Sequence, residues 1–137
     1  MHLRTFAVNV RVAPVTQDVR HVKTLLICTL ANGESHVLFV HERAGQWCWP
    51  AGKVESTDAS PACAASRETF EESALDVGPD EWKLLGYETH PEHGSCASYT
   101  VALTRQCLPV VKTVPDKDTM GAVWVPLAEA LTRLRTP

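Results

Sequence analysis

The sequence predicts an α/β (α+β) fold: a mixed β-sheet with helices packed on its faces, an α/β/α sandwich, built as a single domain over residues 1–137. Three observations predict it. Apolar, strand-like runs stand on both sides of one strong helix-forming segment that begins at Ser60. An Asn32-Gly33 pair between two of those runs is a hairpin signal. A chain of 137 residues with 45% hydrophobic and 21% charged residues suits one globular core.

The elements follow in order. "TFAVNVRVAP", Thr5 to Pro14, alternates in part and ends at a proline, as a strand does. "KTLLICTL" and "HVLFVHE" flank "ANGES" as the arms of a hairpin. The first arm is apolar on both faces, which places it in the sheet centre. "RAGQWCWPAGKVESTDAS" reads as a polar loop. The helix runs from Ser60 to about Ser73, with Ser60 as N-cap and Pro61 at the first turn, where no amide donor is needed. Ala62, Ala64 and Ala65 favour helix and are small enough to let it lie close on a sheet. "WKLLGYETH" and "ASYTVALTR" are strands joined by a loop "PEHGSC". After a second polar loop, "TVPDKDT", come the strand "GAVWV" and a short helix "PLAEALTRL" opened by Pro126.

Composition excludes several function classes. A net charge of -3 without any Lys/Arg run argues against a nucleic-acid polymer as partner. No leading apolar stretch resembles a signal peptide, and the longest apolar run, "LLICTL", is strand-sized, so no membrane association and a cytoplasmic location are expected. The five cysteines are odd in number, scattered and without a CxxC pair, which speaks against zinc and against a disulfide framework. Cys28 and Cys63 read as plain buried thiols.

The chemistry concentrates in "SRETFEES". Glu68, Glu71 and Glu72 stand at i, i+3 and i+4 of the helix, within roughly a 100° arc. Like charges at that spacing repel by a few tenths of a kcal/mol per pair. Two readings offset the repulsion: a solvated face helped by the Arg67–Glu71 i,i+4 pair, or a bound hard cation such as Mg²⁺ or Mn²⁺ with oxygen ligands. Upstream, Gly52 lies between Pro50-Ala51 and Lys53 at the end of "WCWP", where a glycine lets backbone approach closely.

Loop and helix together resemble the Nudix box of the Nudix (MutT-like) hydrolases. Gly52 opens the pattern, Asp58 stands at its first acidic position, Arg67-Glu68 and Glu71-Glu72 supply its two charged pairs, and Leu75 closes it. "WCWPAGKVE" resembles the family's lead-in and "GAVWVPLAEAL" its last strand and helix. There are four departures. Asp58 replaces a glutamate, with eight residues rather than seven before Arg67. Ala51 replaces the first glycine of a usual pair, and Thr69 fills an apolar slot. Ala74 replaces the helix-ending glycine, where a positive φ costs alanine about 1 kcal/mol.

The resemblance implies a Nudix-like α/β/α sandwich and Mg²⁺-dependent (or Mn²⁺-dependent) hydrolysis of a diphosphate linkage in a nucleoside diphosphate derivative. The substrate types are a nucleoside triphosphate, a nucleotide sugar or an ADP-ribose, the last suggested only by Pro91. Glu72 is implied as a direct metal ligand, Glu68 and Glu71 as sharing ligation or holding its water, and the Ala51 carbonyl as a further ligand. Arg67 is implied to orient carboxylates through Asp58 or Glu71. For the general base, Glu92 and Asp118 on loops stand beside Glu68 itself. Arg43 and Lys53 are the phosphate-contact candidates, and Trp47 or Trp49 the base-stacking ones. "HPEH", His90 to His93, lacks the helical spacing of a metal cluster and reads as a surface loop. A monomer or homodimer is expected. A Nudix-like nucleotide-binding module without hydrolysis is the alternative.

Overall fold

A computed structural model of the chain describes residues 18–42, 47–92, 94–113 and 119–135. The strand expected at Thr5–Pro14 lies outside the described residues. Among the described residues, seven strands form one sheet: β1 (Val19–Leu30), β2 (Ser35–Glu42), β3 (Trp47–Cys48), β4 (Ala51–Lys53), β5 (Lys83–His90), β6 (Gly94–Arg105) and β7 (Thr119–Pro126). The helices are α1 (Pro61–Ser73) and α2 (Leu127–Arg135), with a 3-10 turn at Pro79–Glu81. None of the described helices is long and apolar enough to cross a membrane.

β1 is central, as its two-sided apolar pattern predicts. Along one edge it pairs with β6 in parallel, from Val19↔Ser95 to Leu30↔Arg105, and β5 lies antiparallel beyond β6. Its other edge is shared. The N-terminal half pairs with β4 (His21↔Lys53, Val22↔Gly52, Lys23↔Ala51) and the C-terminal end with β2 (Ile27↔Val37 to Thr29↔Ser35). β2 diverges from β1 to pair with β3 (Val40↔Cys48), while its outer edge takes β7. Residues 47–53 therefore fill a fork in the sheet, locked by the Thr24 amide donating to the Pro50 carbonyl at 2.9 Å. The segment expected to be only a polar loop thus carries two short strands, because the splayed backbones of β1 and β2 leave donors and acceptors that a strand-like segment satisfies.

Each sheet face buries its own core. Val22, Leu26, Leu38, Val40, Ala97, Tyr99 and Val101 pack against Ala64 and Ala65 of α1. On the opposite face Val37, Phe39 and Val125 pack against Ala130 of α2, joined by Leu25, Ile27 and Trp49. The α/β/α sandwich follows directly. The Asn32-Gly33 turn forms as predicted, with Gly33 at φ 91°. β6 begins three residues earlier than its expected start at Ala97, which leaves Pro91 and Glu92 in a tight turn rather than a six-residue loop. None of the five cysteines forms a disulfide. Cys28 and Cys96 are buried, their thiols pushed up by desolvation, whereas Cys63 is half-buried, since its place in the first turn of α1 leaves it partly open to solvent.

Helix α1 starts and stops on local chemistry. The Ser60 hydroxyl accepts from the Cys63 amide at 3.2 Å, and Pro61 opens the first turn. At the other end Ala74 adopts φ 67° in the left-handed region, its amide donating to the Phe70 carbonyl at 2.8 Å. Lys112 ties this end down: its amide donates to the Ser73 carbonyl at 2.8 Å and its Nζ to the Glu71 carbonyl at 3.0 Å. A cation on the last carbonyls also suits the negative end of the helix dipole. Removing the Cβ strain should therefore show in a melt. Ala74→Gly is expected to gain about 1 kcal/mol, or about 3–5 °C in Tm for a domain of this size. A calorimetric Tm at or below that of the parent contradicts it.

Candidate metal centre and adjoining cleft

Arg67 organises the acidic face of α1. Its Nε donates to Asp58 Oδ1 at 3.1 Å and its Nη2 to Asp58 Oδ2 at 2.9 Å, a forked pair that fixes the guanidinium plane. Nη1 donates to Glu68 Oε1 at 2.9 Å and to Glu71 Oε1 at 3.3 Å, with Glu55 Oε2 at 3.5 Å. Nη2 also donates to the Lys53 carbonyl at 2.9 Å, which pins the loop to the helix. Asp58 in turn accepts from the Glu55 amide at 2.8 Å and closes a turn inside the loop. The alternative partners expected for Arg67, Asp58 and Glu71, are both engaged. The shorter aspartate, on a loop with one extra residue, still reaches the arginine.

The two remaining carboxylates face the loop backbone. Glu72 Oε1 accepts from the Ala51 amide at 3.0 Å. The Glu68 carboxyl sits against the Cα of Gly52, where a Cβ would overlap it. Strand register explains this: Gly52 is opposite Val22, so its missing side chain points toward α1. Thr69, in the slot expected to be apolar, is fully buried, and its hydroxyl meets that of the equally buried Thr24 at 3.0 Å. A mutual hydrogen bond removes the cost of burying either hydroxyl alone.

The electrostatics are uneven. The Arg67 guanidinium beside Asp58 holds that carboxyl below the usual range, and the pairing pushes Arg67 further up. Burial pushes Glu68 up, opposed by its hydrogen bond to Arg67 and assisted by the charges of Glu71 and Glu55. Four carboxylates, Glu55, Asp58, Glu68 and Glu71, thus rest on a single guanidinium, with Glu72 beside them. Among the described residues no three His, Cys, Asp or Glu side chains converge as a ready-made metal cage. The reason is visible: Arg67 and the Ala51 amide occupy carboxylate oxygens that a cation would take. The donor set nevertheless fits a hard divalent ion, being all oxygen, carrying excess negative charge and including a desolvated carboxylate in a backbone notch.

The other candidates are dispersed. Trp47 is 36% exposed and stacks on His41, ring centroids 4.7 Å apart and planes 8° from parallel, whereas Trp49 packs into the α2-side core. Glu92 is exposed in the β5–β6 turn. Arg43, Asp118 and His93 lie outside the described residues. Lys53 lines a cleft of about 580 Å³ together with His21, Lys23, Ala51, Gly94 and Cys96. Sequence reasoning missed His21, Lys23 and Cys96. The signal available was period-two alternation extended back from Lys23 to His21, on a strand taken to begin at Lys23.

Comparison with known proteins agrees with this geometry. A family model for the NUDIX domain matches residues 20–137. The uncharacterized Nudix hydrolase NudL of Escherichia coli (strain K12) is 34% identical over 102 residues, which cover 69% of this chain and 48% of that protein. The chain thus spans about half the length of the curated relatives it matches. The NUDIX domain of Shewanella oneidensis NrtR complexed with ADP ribose superposes with a TM-score of 0.68 at 17% identity, over 88% of this chain and 80% of that one. A Caenorhabditis elegans Ap4A hydrolase complex gives 0.63 at 15% identity, over 85% and 87%. A MutT/nudix family protein from Enterococcus faecalis gives 0.66 at 18% identity, over 80% and 44%. At these identities the structural likeness is one of fold. With the domain match across nearly all of its described residues and the box on the loop and helix just described, this chain belongs to the Nudix family.

Proposed function

We propose that the chain hydrolyses a diphosphate linkage in a nucleoside diphosphate derivative, with Mg²⁺ or Mn²⁺ as cofactor. The observation that carries this reading is the notch at Gly52, where the desolvated Glu68 carboxyl and the Glu72 carboxyl meet the loop backbone from one side. Anionic diphosphate resists attack by water, and a divalent ion held there supplies charge neutralisation and orientation. Glu72, with Glu68 and Glu71, holds the ion, and the Ala51 carbonyl adds a neutral oxygen. Arg67 keeps the carboxylates aligned through Asp58. Glu68, whose carboxyl meets the Gly52 backbone in the notch, is a candidate to accept a proton from water. Glu92 and Asp118 are the loop acids that share this candidacy. Lys53, Arg43 and Trp47 are the substrate contacts proposed around it. Of the structural neighbours, one is described in complex with ADP ribose and another as an Ap4A hydrolase, which supports a nucleotide as the substrate class.

The test is product release from nucleoside triphosphates, dinucleoside polyphosphates, ADP-ribose, nucleotide sugars and NADH at pH 7.5 to 8.5, with either metal. Cleavage should require the metal, and Glu72→Gln should lose about 10²-fold or more of kcat/KM, as removal of a charge acting in the transition state does. One observation favours a second reading, a nucleotide-binding module. The carboxylates are engaged by Arg67 and by the Ala51 amide rather than converged. Silence across the panel, with a nucleotide still raising Tm, selects that reading.

A further inference from the structure

The loop that meets the carboxylates presents its opposite face to a cleft with the reverse charge. β1 and β4 pair in register, so alternate side chains go to opposite faces. Val22 and Gly52 point toward α1 and Glu68. His21 with Lys53, and Lys23 with Ala51, point the other way. Among the described residues, α2 covers that second face farther along, at Leu25 and Ile27, and leaves the part around His21 and Lys23 open. Cys96, in register with His21 on β6, closes the far wall. The resulting cleft of about 580 Å³ has the volume of a small-molecule site.

Among the described residues its charged groups are Lys23 and Lys53, with Glu88 at its border and the Arg20–Asp18 pair beside Gly94. Lys23 Nζ lies 3.4 Å from Glu88 Oε1, with the two side chains 44% and 58% exposed. Glu88 stands opposite Cys96 across the β5–β6 pairing, so it borders the same cleft. So long and exposed a pair is readily exchanged for another anion. Lysine ammonium is a compact point charge suited to phosphate, and the Gly94 and Cys96 wall is suited to cover the apolar remainder of a phosphate ester.

We propose that this cleft holds a phosphate group of the ligand on the sheet face opposite the carboxylate helix, with Lys23 exchanging Glu88 for that phosphate beside Lys53. The inference rests on the hydrolase reading only for the identity of the rest of the ligand. The substrate class it selects is a nucleoside diphosphate derivative with a phosphate beyond the scissile linkage.

The experiment uses the whole chain in EDTA, so that no metal recruits anions to the carboxylates, and titrates inorganic phosphate and then AMP by ¹⁵N-edited NMR. Amide shifts should cluster at His21, Lys23, Lys53 and Cys96. Lys23→Met should weaken binding about tenfold, the factor of one charge-assisted hydrogen bond. Glu88→Gln should tighten it about threefold, a sign that misfolding cannot produce. Lys83→Met, on the same sheet but outside the cleft, should stay within about twofold. Shifts confined to other residues, or the same affinity in Lys23→Met and Glu88→Gln, overturn the proposal. If the pattern holds while the hydrolysis panel is silent, the cleft stands and the hydrolase reading falls; hydrolysis without the pattern gives the converse.

Discussion

An Arg67→Met variant should lose about 2–3 kcal/mol of stability at neutral pH, the cost of removing the donor from a part-buried, charge-assisted pair. The argument rests on Asp58, not on the number of contacts. The Asp58 side chain is 6% exposed and that of Arg67 22%, so their forked pair is largely out of water. Without the guanidinium, Asp58 keeps the Glu55 amide but loses both bonds of its forked partner. Glu55 and Glu71 are more than half exposed and add little. The sign of the pH dependence tests the assignment. In the parent, Asp58 titrates below its unfolded value of about 3.9, so its stabilisation is full above that pH and is lost as the pH falls through the depressed folded value. Glu68, pushed up by burial, acts in the opposite sense: its contribution is present below the unfolded value of about 4.3 and is lost as pH rises through its folded value. In Arg67→Met the Asp58 carboxyl should itself be raised by burial, so acidification from neutral pH should recover stability. Urea unfolding at neutral and mildly acidic pH reads both effects. A loss under about 1 kcal/mol would mean that the pair behaves as a surface contact.

What the sequence made legible divides by range of interaction. α1 could be read because Ser60, Pro61 and the alanines act within one or two turns, and the strain at Ala74 follows from its place at the helix end. Arg67 with Glu71 was equally local, an i,i+4 pair. β3 and β4 were not legible. At two and three residues they carry no periodicity, and they exist because partners about 30 residues earlier or a few residues before them on the fork leave backbone groups to satisfy. The parallel pairing of β1 with β6 spans some 75 residues and has no local signature, so the cleft between β4 and β6 stayed hidden with it. Thr69 shows the same limit inside the motif. Alone it looks misplaced in an apolar slot; beside Thr24, from a strand 45 residues away, it is satisfied.

Gly52→Ala should separate the site from the fold. A Cβ at Gly52 overlaps the Glu68 carboxyl, the mobile end of a flexible side chain rather than backbone. The chain can relieve the clash by turning that carboxyl out of the notch, so the stability change should stay within about 1 kcal/mol. Function has no such relief. Displacing Glu68 by about an ångström from the loop also disturbs its contact with Arg67, and misplacement on that scale costs on the order of 10²-fold in rate. The expected result is a Tm close to that of the parent with metal-dependent hydrolysis reduced about 10²-fold. A double-mutant cycle sharpens it. In a Glu68→Ala background the methyl group has nothing to displace, so Gly52→Ala should add less than about threefold. Full additivity of the two losses would show that Gly52 acts through the backbone of β4, and the notch would then not be the seat of the chemistry.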